Sequence, residues 1–248
     1  MRIDVCVCGP QPGPNDIAGH VVVVIDVLRA SSTIAAALAN GARNIIPFES
    51  TEEAIARSKA FERGEVRLAG ERKMRAVPGF DFGNSPLEFT RASVEGKTVL
   101  FSTTNGTGAL VAIQGARDVV VGAYVNFTAV LTLLRAAARG GTDVTILCAG
   151  RDRHFSLEDL ACAGRFVRHV LDRHPDAALD DGAVAALHVE RAYGDDLQRL
   201  FLDSAHGRAL RDAGFVEDLR FCGTLDSHPV IPVYQERQIT KLGPERGR

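Results

Sequence analysis

Apolar and polar positions alternate along the chain in blocks that predict strands followed by helices. The apolar run at residues 21–27 is continuous, which is typical of a strand buried on both faces of a parallel sheet. Residues 32–40 are alanine-rich and predict a helix, with Gly41 at its C-terminal cap. Residues 43–48 predict a second strand, and residues 51–63 a second helix capped by Thr51 with glutamates in its first turn. This order of elements favours an α/β fold.

The strand–helix–strand unit is repeated farther along the chain. A shift of 74 residues places ASSTIAAALANGARNII over TNGTGALVAIQGARDVV, with Thr33 on Thr107 and Ala35 on Ala109. Both copies contain an apolar strand, a hydroxyl-rich turn, a helix and the tripeptide G-A-R, which favours an internal duplication. A third unit with the same outline begins with the strand predicted at residues 143–147.

The last third of the chain has a different pattern. Residues 180–213 predict helices, and residues 230–234 and 238–242 predict two strands of an antiparallel ribbon or a sheet edge. Since no linker or low-complexity tract interrupts the chain, we predict one three-layer α/β/α domain over residues 1–248 with a mainly parallel sheet. A small helical subdomain at about residues 175–215 is the alternative.

Composition excludes several classes of function. Apolar residues make up 46% and charged residues 24% of the chain, as in ordinary globular proteins. A formal net charge of −2, no tryptophan and 6% aromatic residues argue against a nucleic-acid partner. The N-terminus lacks a signal-peptide core, and the longest apolar run is far shorter than the roughly 20 residues of a membrane span. We therefore expect a cytoplasmic protein with no membrane partner, whose five cysteines are reduced thiols. Association into a homodimer through the later helices is left open.

Hydroxyl and glycine residues follow the predicted strands where ligands bind in α/β folds. The segments are DVLRASST at 26–33, STTNGT at 102–107 and CAGRDRH at 148–154. Helix N-termini offer free backbone N–H groups, so such turns suit an anion such as a phosphate or sulfonate. Serine and threonine are also preferred helix caps, which is the alternative interpretation of each single hydroxyl.

Asp26 ends the most apolar predicted strand, where an unpaired carboxylate is costly. Its partner is Arg29, a backbone cap or a metal ion. A dehalogenase-type phosphatase would need a second aspartate where Leu28 stands, and neither turn continues into the G-K-[ST] of a P-loop.

The polar loop at residues 70–85, GERKMRAVPGFDFGNS, is a second candidate for chemistry, because long polar loops in compact domains tend to be functional. Ser156 and Asp159 fit a capping box, which makes Asp159 structural and leaves Glu158 free to face a ligand. Asp26, Glu71, Asp81 and Glu158 are hard oxygen ligands of the kind that Mg²⁺ prefers. Histidines on or beside the later helices, His206 among them, are assigned to surfaces or partly buried caps.

These segments together resemble one family, the 2-phosphosulfolactate phosphatases of coenzyme M biosynthesis. The matching pieces are VVIDVLRASST ending at Thr33, GER at 70–72, GFDFGNSPLE at 79–88, STTNGT at 102–107, CAG at 148–150, FSLEDLACAG at 155–164 and DSHPVIPVY at 226–234. Gly108 stands where the family resemblance leads us to expect a larger residue. The resemblance implies an α/β/α enzyme that uses Mg²⁺ to hydrolyse a small acidic phosphoester.

The hypothesis from sequence is therefore hydrolysis of (2R)-2-phospho-3-sulfolactate to 3-sulfolactate and phosphate. Its alternatives are a phosphatase for another phosphorylated hydroxy acid and a binder of anionic metabolites without catalysis. The catalytic candidates are Asp26, Arg29 and Glu71, and the Mg²⁺ candidates are Asp26, Glu71 and Glu158. The substrate-binding candidates are Ser31, Ser32, Thr33, Arg72, Asn84, Ser85, Thr104, Asn105, Gly106 and Thr107.

Overall fold

The computed structural model describes residues 1–8, 12–62, 64–104, 106–113, 115–152 and 154–243. The strands are β1 Arg2–Cys6, β2 Val21–Ile25, β3 Asn44–Pro47, β4 Val66–Arg72, β5 Arg75–Ala76, β6 Thr98–Ser102, β7 Asp118–Gly122, β8 Val144–Cys148, β9 Ala178–Leu179, β10 Pro232–Gln235 and β11 Gln238–Lys241. The helices are α1 Ala30–Ala39, α2 Thr51–Ser58, α3 Arg91–Val94, α4 Gly106–Ala112, α5 Phe127–Arg139, α6 Leu157–Leu171, α7 Asp181–Tyr193, α8 Leu197–Asp203, α9 Ala205–Asp212 and α10 Val216–Cys222. Within the described ranges, no helix combines the length and the apolar character needed to cross a membrane.

The strands form one mixed sheet in the order β5-β4-β6-β3-β11-β10-β7-β2-β8-β1-β9. Strand β2 pairs in parallel with β7 and with β8, and β6 pairs in parallel with β3 and with β4. Along the chain, helices lie between the two strands of each of these pairs, because parallel strands need a long crossover connection. The predicted α/β fold class is confirmed.

The β10–β11 hairpin lies in the middle of this sheet. Strand β10 is antiparallel to β7, β11 is antiparallel to β3, and the two hairpin strands are antiparallel to each other. The strands on its two sides therefore run in opposite directions. Of the two predicted alternatives, the antiparallel ribbon is confirmed and the sheet edge is wrong, because both strands of the ribbon pair with strands far away in sequence.

Helices cover both faces of the sheet, which gives three layers. Along β2, Val21, Val23 and Ile25 join one apolar cluster, and Val22 and Val24 join the other. This is the alternation of side chains that a strand imposes. Residues of α5 and α6 belong to the first cluster, and residues of α1 and α4 to the second. A strand buried on both sides explains the unbroken valine run.

The later helices pack into the first of these clusters. Ala183 of α7, Leu200 of α8, Leu210 of α9 and Leu219 of α10 are buried together with Phe166 of α6. Helix α7 also contacts β1. The number of domains stays a prediction, but these helices share their apolar contacts with the sheet.

Several predicted boundaries differ from the structure. Helix α2 is capped by Ser50, whose hydroxyl accepts from the Glu53 N–H at 3.2 Å, so Thr51 is not the cap. The helix ends at Ser58, and Arg63 lies outside the described residues. Strand β4 continues to Arg72 and turns back at once into β5, so the predicted loop begins with a hairpin. In the repeated units, the shift of 74 residues places β3 on β7, as the sequence comparison predicts.

Candidate active site

A cavity of about 360 Å³ lies where the predicted polar segments meet. Such a volume is typical of sites for small molecules. It is lined by Asp26, Leu28, Arg29, Glu71, Arg72, Lys73, Met74, Asn84, Thr103, Thr104, Arg151, Asp152 and His206.

The cavity receives the carboxyl ends of two pairs of parallel strands. Asp26 follows β2 and Arg151 follows β8, which is the neighbour of β2. Glu71 lies near the end of β4, and Thr103 follows β6, the neighbour of β4. The first pair lies on the β7 side of the β10–β11 hairpin and the second pair on the β3 side, where the strands run in the opposite direction. The cavity therefore lies where the two halves of the sheet meet, and not at one edge of a parallel sheet.

Asp26 is buried beside the cavity, with 6% of its surface exposed. Its Oδ1 atom accepts the Ala30 N–H at 3.4 Å, so the carboxylate caps the start of α1. Burial, with the charges of Glu71 and Glu158, raises the pKa of Asp26 from 3.8 to about 6, although the charge of His206 and the Ala30 N–H lower it in part. A carboxylate that burial and like charges make costly to ionise is a common feature of functional sites.

Gly106 brings the second repeated turn against this carboxylate. A Cβ atom at Gly106 would lie 2.7 Å from Asp26 Oδ2 and 2.7 Å from the Cβ of Ala30. Any side chain at this position would displace the start of α4 from the start of α1. The predicted role of Gly106 in the site therefore has a physical basis in close approach of the backbone. Asn105, the neighbouring substrate-binding candidate, lies outside the described residues.

Glu71 joins the β4–β5 hairpin to the turn after β6. Its Oε1 atom accepts the Thr104 N–H at 2.9 Å, and its Oε2 atom accepts the Met74 N–H at 2.8 Å. Lys73 and Met74 have φ of +51° and +67°, which a two-residue turn of type I′ requires at both central positions. This turn carries Lys73 to the cavity.

Arg29 lies in a buried network. Its guanidinium forms an ion pair with Asp218 of α10, donates to the Met74 carbonyl at 3.2 Å and stacks at 4.3 Å from the ring centre of Phe215. Ser85 donates to the other oxygen of Asp218 at 2.6 Å. Arg29 lines the cavity, as predicted, but its charge is already paired, and Ser85 contacts this network without lining the cavity.

The hydroxyl groups of the first turn bond to the protein itself. Ser31 accepts the Asp26 N–H at 2.9 Å, Ser32 donates to the Val27 carbonyl at 2.8 Å, and Thr33 donates to the Asn84 carbonyl at 3.0 Å. None of the three lines the cavity. These hydroxyls therefore bind the protein without capping α1, whose N-cap residue is Arg29 and whose first N–H is bound by Asp26.

The second turn is built in the same way. The Thr107 hydroxyl donates to the Thr103 carbonyl at 3.1 Å and accepts the Thr103 N–H at 3.1 Å. The Thr103 hydroxyl in turn accepts the Thr107 N–H at 3.2 Å. Thr104, whose N–H binds Glu71, lines the cavity together with Thr103. Of the candidates in this turn that the structure describes, Thr104 is the one whose side chain reaches the cavity.

Besides Arg29, which is paired with Asp218, the cationic side chains of Arg72, Lys73 and Arg151 line the cavity. Arg72 donates to the Ser102 carbonyl and hydroxyl and to the carbonyls of Glu71 and Glu49. Lys73 is exposed at the rim. Arg151 donates to the Ala205 carbonyl at 3.2 Å and lies 3.8 Å from the carboxylate of Asp152. Within the described ranges, neither Arg72 nor Lys73 has a carboxylate at ion-pair distance, so their charge is available to an anion.

Asn84 presents a buried amide to the cavity. It is 5% exposed, and in the described part of the chain its Oδ1 atom has no hydrogen-bond partner. A buried polar atom without a partner is costly, and one that lines a cavity indicates a ligand. Its neighbour Asp81 is directed elsewhere, since its carboxylate accepts the Leu68 N–H at 2.8 Å.

Two neighbouring carboxylates in the first turn of α6 have different roles. Ser156 caps α6, as predicted, but the Asp159 carboxylate does not complete a capping box with it. It accepts the Val27 N–H at 2.9 Å and the Gly150 N–H at 3.1 Å, so Asp159 is structural for a different reason. Glu158 is 1% exposed and lies 3.4 Å from Nδ1 of His206. Burial raises the pKa of Glu158, but the hydrogen bond and charge of His206 outweigh it and hold the pKa below its ordinary value.

Comparison with known proteins assigns the chain to a family. Residues 10–237 match the family model described as 2-phosphosulpholactate phosphatase. The chain belongs to the 2-phosphosulfolactate phosphatase family. A probable 2-phosphosulfolactate phosphatase of Symbiobacterium thermophilum is 41% identical over 231 residues, which cover 93% of this chain and 98% of the relative. Its counterpart in Caldanaerobacter subterraneus subsp. tengcongensis is 40% identical over 218 residues, or 88% and 89% of the two chains.

The family assignment confirms the resemblance found in the sequence. It also confirms the expected enzyme class, because the relatives are named as phosphatases that act on a phosphate monoester. A probable 2-phosphosulfolactate phosphatase of Clostridium acetobutylicum matches over 239 residues, 96% of this chain and all of the relative, at 33% identity.

In this member of the 2-phosphosulfolactate phosphatase family, the three predicted Mg²⁺ carboxylates are not brought together. No group of three or more His, Cys, Asp or Glu side chains in the described residues is placed to share one metal ion. Glu158 lies behind His206, whereas Asp26 and Glu71 line the cavity with Asn84. Mg²⁺ commonly uses one or two carboxylates with waters and substrate phosphate. The donor chemistry of Asp26, Glu71 and the unpartnered Asn84 oxygen fits such an ion.

Sequence reasoning missed four residues of this region. Lys73 and Arg151 lie in the polar segments 70–85 and 148–154, so the sequence around each of them already indicates a candidate site. The sequence pattern places His206 on a surface or at a partly buried cap, and it makes no prediction for Asp218. The sequence signal that points to His206 is Ser204, a typical N-cap residue that marks a helix start two residues before it.

Proposed function

We propose that this chain hydrolyses (2R)-2-phospho-3-sulfolactate to 3-sulfolactate and phosphate in a reaction that requires Mg²⁺. The observation that carries the proposal is the charge arrangement of the cavity. Two buried carboxylates, Asp26 and Glu71, face the same space as the cationic side chains of Arg72, Lys73 and Arg151. A substrate with a phosphate and two further anionic groups complements the cations, and a divalent cation complements the carboxylates.

The carboxylate side of the cavity is the proposed place of the phosphoryl group. Asp26 and Glu71, with the Asn84 oxygen, would hold Mg²⁺. A bound ion would supply neutralisation of the phosphate charge and orientation of the attacking oxygen. Without a cation, a phosphate beside two carboxylates would be repelled, which is why simple anion binding explains this lining poorly.

The cationic side is the proposed anchor for the carboxylate and sulfonate of the substrate. The planar fork of Arg72 is held by four acceptors of the protein, so its orientation is fixed before an anion binds. Lys73 approaches from the rim and Arg151 from the turn after β8. Groups fixed in advance of the reaction hold a substrate in register with the attacking oxygen without a cost in reorganisation.

The test is release of inorganic phosphate from a panel of phosphate monoesters of hydroxy acids, each measured with Mg²⁺ and with EDTA. We expect release from 2-phosphosulfolactate in Mg²⁺ and loss of it in EDTA. Full activity in EDTA would refute the metal requirement, and faster hydrolysis of another ester would replace the substrate. Hydrolysis of no ester, together with a saturable thermal shift by 2-phosphosulfolactate, would support a binder instead.

The matched variant is Asp26→Asn. If Asp26 holds the ion or attacks phosphorus, the rate falls by about 10³-fold or more, which is the range for removal of an essential catalytic group. Asp81→Asn is the control, because Asp81 binds the backbone at Leu68 away from the cavity. Equal activity of the two variants would exclude Asp26 from the site.

A further inference from the structure

The position of His206 is fixed by the chain around it. It is the second residue of α9, and the Ser204 hydroxyl caps this helix by accepting the Gly207 N–H at 2.9 Å. A Cβ atom at Gly207 would lie 1.9 Å from the Phe201 carbonyl oxygen, so α9 is packed closely against the end of α8. The imidazole therefore enters the cavity from a rigid helix start rather than from a mobile loop.

The two ring nitrogens of His206 have different surroundings. Nδ1 lies 3.4 Å from Oε1 of Glu158, a carboxylate that is buried and does not line the cavity. In the part of the chain that the structure describes, Nε2 has no hydrogen-bond partner, and the ring itself lines the cavity. When a carboxylate binds one nitrogen of an imidazole, the proton that the ring can transfer is the one on the other nitrogen.

Charged side chains surround the ring. Glu158 is a buried carboxylate whose pKa is held below the ordinary value, so at neutral pH its negative charge lies beside Nδ1. Asp26 lies near enough that the charge of His206 lowers the pKa of Asp26. Arg151 binds the Ala205 carbonyl beside the histidine and lines the same cavity.

We propose that His206 is the general acid of the reaction, donating the Nε2 proton to the departing ester oxygen, and that Glu158 positions it. The inference rests on the proposed phosphatase function and deepens it. The alkoxide of a 2-hydroxy acid is a poor leaving group, so a proton donor at this oxygen lowers the barrier.

An oxygen from water forms a bond to phosphorus while the bond from phosphorus to the ester oxygen breaks. The electron pair of the broken bond goes to the ester oxygen, which takes the Nε2 proton and leaves as the alcohol. A proton of the consumed water restores His206. The products are 3-sulfolactate and inorganic phosphate, and no oxidant or reductant is needed.

The experiment compares two substrates of equal charge and nearly equal size, 2-phosphosulfolactate and its 3,3-difluoro analogue. The fluorines make the leaving alcohol much more acidic, so its departure needs little help from an acid. In His206→Gln we expect kcat for the natural ester to fall by about 10²- to 10⁴-fold and kcat for the difluoro ester to fall by about tenfold or less. KM should change little for either ester. His188→Gln, at an exposed position of α7, is the control and should leave both rates unchanged.

The ratio of the two rates is insensitive to partial unfolding, which lowers both equally. An equal loss on both esters would overturn the inference, because it would indicate a structural role for His206. Glu158→Gln should give the same preference for the difluoro ester to a smaller extent, with the same Mg²⁺ concentration for half-maximal rate as the wild type. A raised Mg²⁺ requirement in Glu158→Gln would overturn its positioning role. Failure of the wild type to release phosphate from 2-phosphosulfolactate would instead refute the proposed function.

Discussion

The buried ion pair between Arg29 and Asp218 joins α10 to the turn that carries Asp26. The two side chains are 2% and 3% exposed, and the second oxygen of Asp218 accepts from Ser85. Asp218→Asn keeps the shape of the side chain but leaves the Arg29 charge without a counter-ion. Removing one partner of a buried pair costs about 3–5 kcal/mol, because the remaining charge stays desolvated. We expect the free energy of unfolding to fall by that amount.

The pair can be separated from its surroundings by a double-mutant cycle. Arg29→Met leaves Asp218 unpaired, Asp218→Leu leaves Arg29 unpaired, and each single variant should cost a similar amount. The double variant Arg29→Met with Asp218→Leu removes both charges and should be less destabilised than either single variant, since apolar replacements of buried pairs are often tolerated. The coupling energy between the two sites should therefore exceed about 2 kcal/mol.

Urea unfolding followed by circular dichroism measures these free energies. The control lies on the same helix, where Glu217 pairs with Arg220 and both side chains are 66% exposed. Glu217→Gln should cost no more than about 1 kcal/mol, as exposed pairs contribute little. If the losses of unfolding free energy in the Arg29 and Asp218 variants were additive, the two residues would not be coupled. A loss in Asp218→Asn no larger than that of Glu217→Gln would likewise show that the pair does not stabilise the fold as a buried ion pair.

Three further predictions concern the cavity. In EDTA, Asp26→Asn should raise the free energy of unfolding at pH 8 by up to about 3 kcal/mol, and the gain should vanish toward pH 4. The wild type loses stability as the pH rises from 3.8 through the raised pKa of about 6, because its buried carboxylate ionises, whereas asparagine does not titrate. A difference in unfolding free energy between the two proteins that stays constant across pH would contradict this prediction. Gly106→Ala should cost about 1–3 kcal/mol in unfolding experiments, because its Cβ would collide with Asp26, while Gly108→Ala, with nothing within 4 Å, should be neutral or stabilising. Lys73→Met should raise KM for 2-phosphosulfolactate about tenfold with little change in kcat, and Lys59→Met should change neither; a loss confined to kcat would show that Lys73 does not bind the ground state.

Local sequence patterns predicted the strands and helices, whereas the order of the strands in the sheet depends on pairing between residues far apart in sequence. The valine run before Asp26 was correctly assigned to a central strand, because burial on both faces removes any alternation from the sequence. The β10–β11 ribbon was also correctly predicted, since its two strands are neighbours along the chain. Its place between β3 and β7 could not be predicted in the same way, because its outer partners are Ile45 and Val120, more than a hundred residues away.

The residues of the candidate site also divide into those that the local sequence indicates and those that only distant contacts bring to the cavity. Asp26, Glu71 and Arg72 were singled out because each stands beside a strand end or in a polar loop, and all three line the cavity. The hydroxyls of Ser31 and Ser32 stand in an equally polar turn but bind the backbone, which their spacing does not reveal. Arg29 and Asp218 are separated by 189 residues, and His206 of α9 reaches the cavity from the later helices.

The central place of residues 232–241 in the sheet affects how the chain is made. On a ribosome, both halves of the sheet can pair their parallel strands before this hairpin emerges, and His206 and Asp218 leave the exit tunnel shortly ahead of it. A nascent chain stopped before Pro232 would carry two half-sheets with open edges at β3 and β7, and open edges pair readily with other chains. Partners so far apart in sequence also slow folding. Emergence of residues 232–241 thus closes both edges at once, which makes the interval before it a natural point for chaperone dependence.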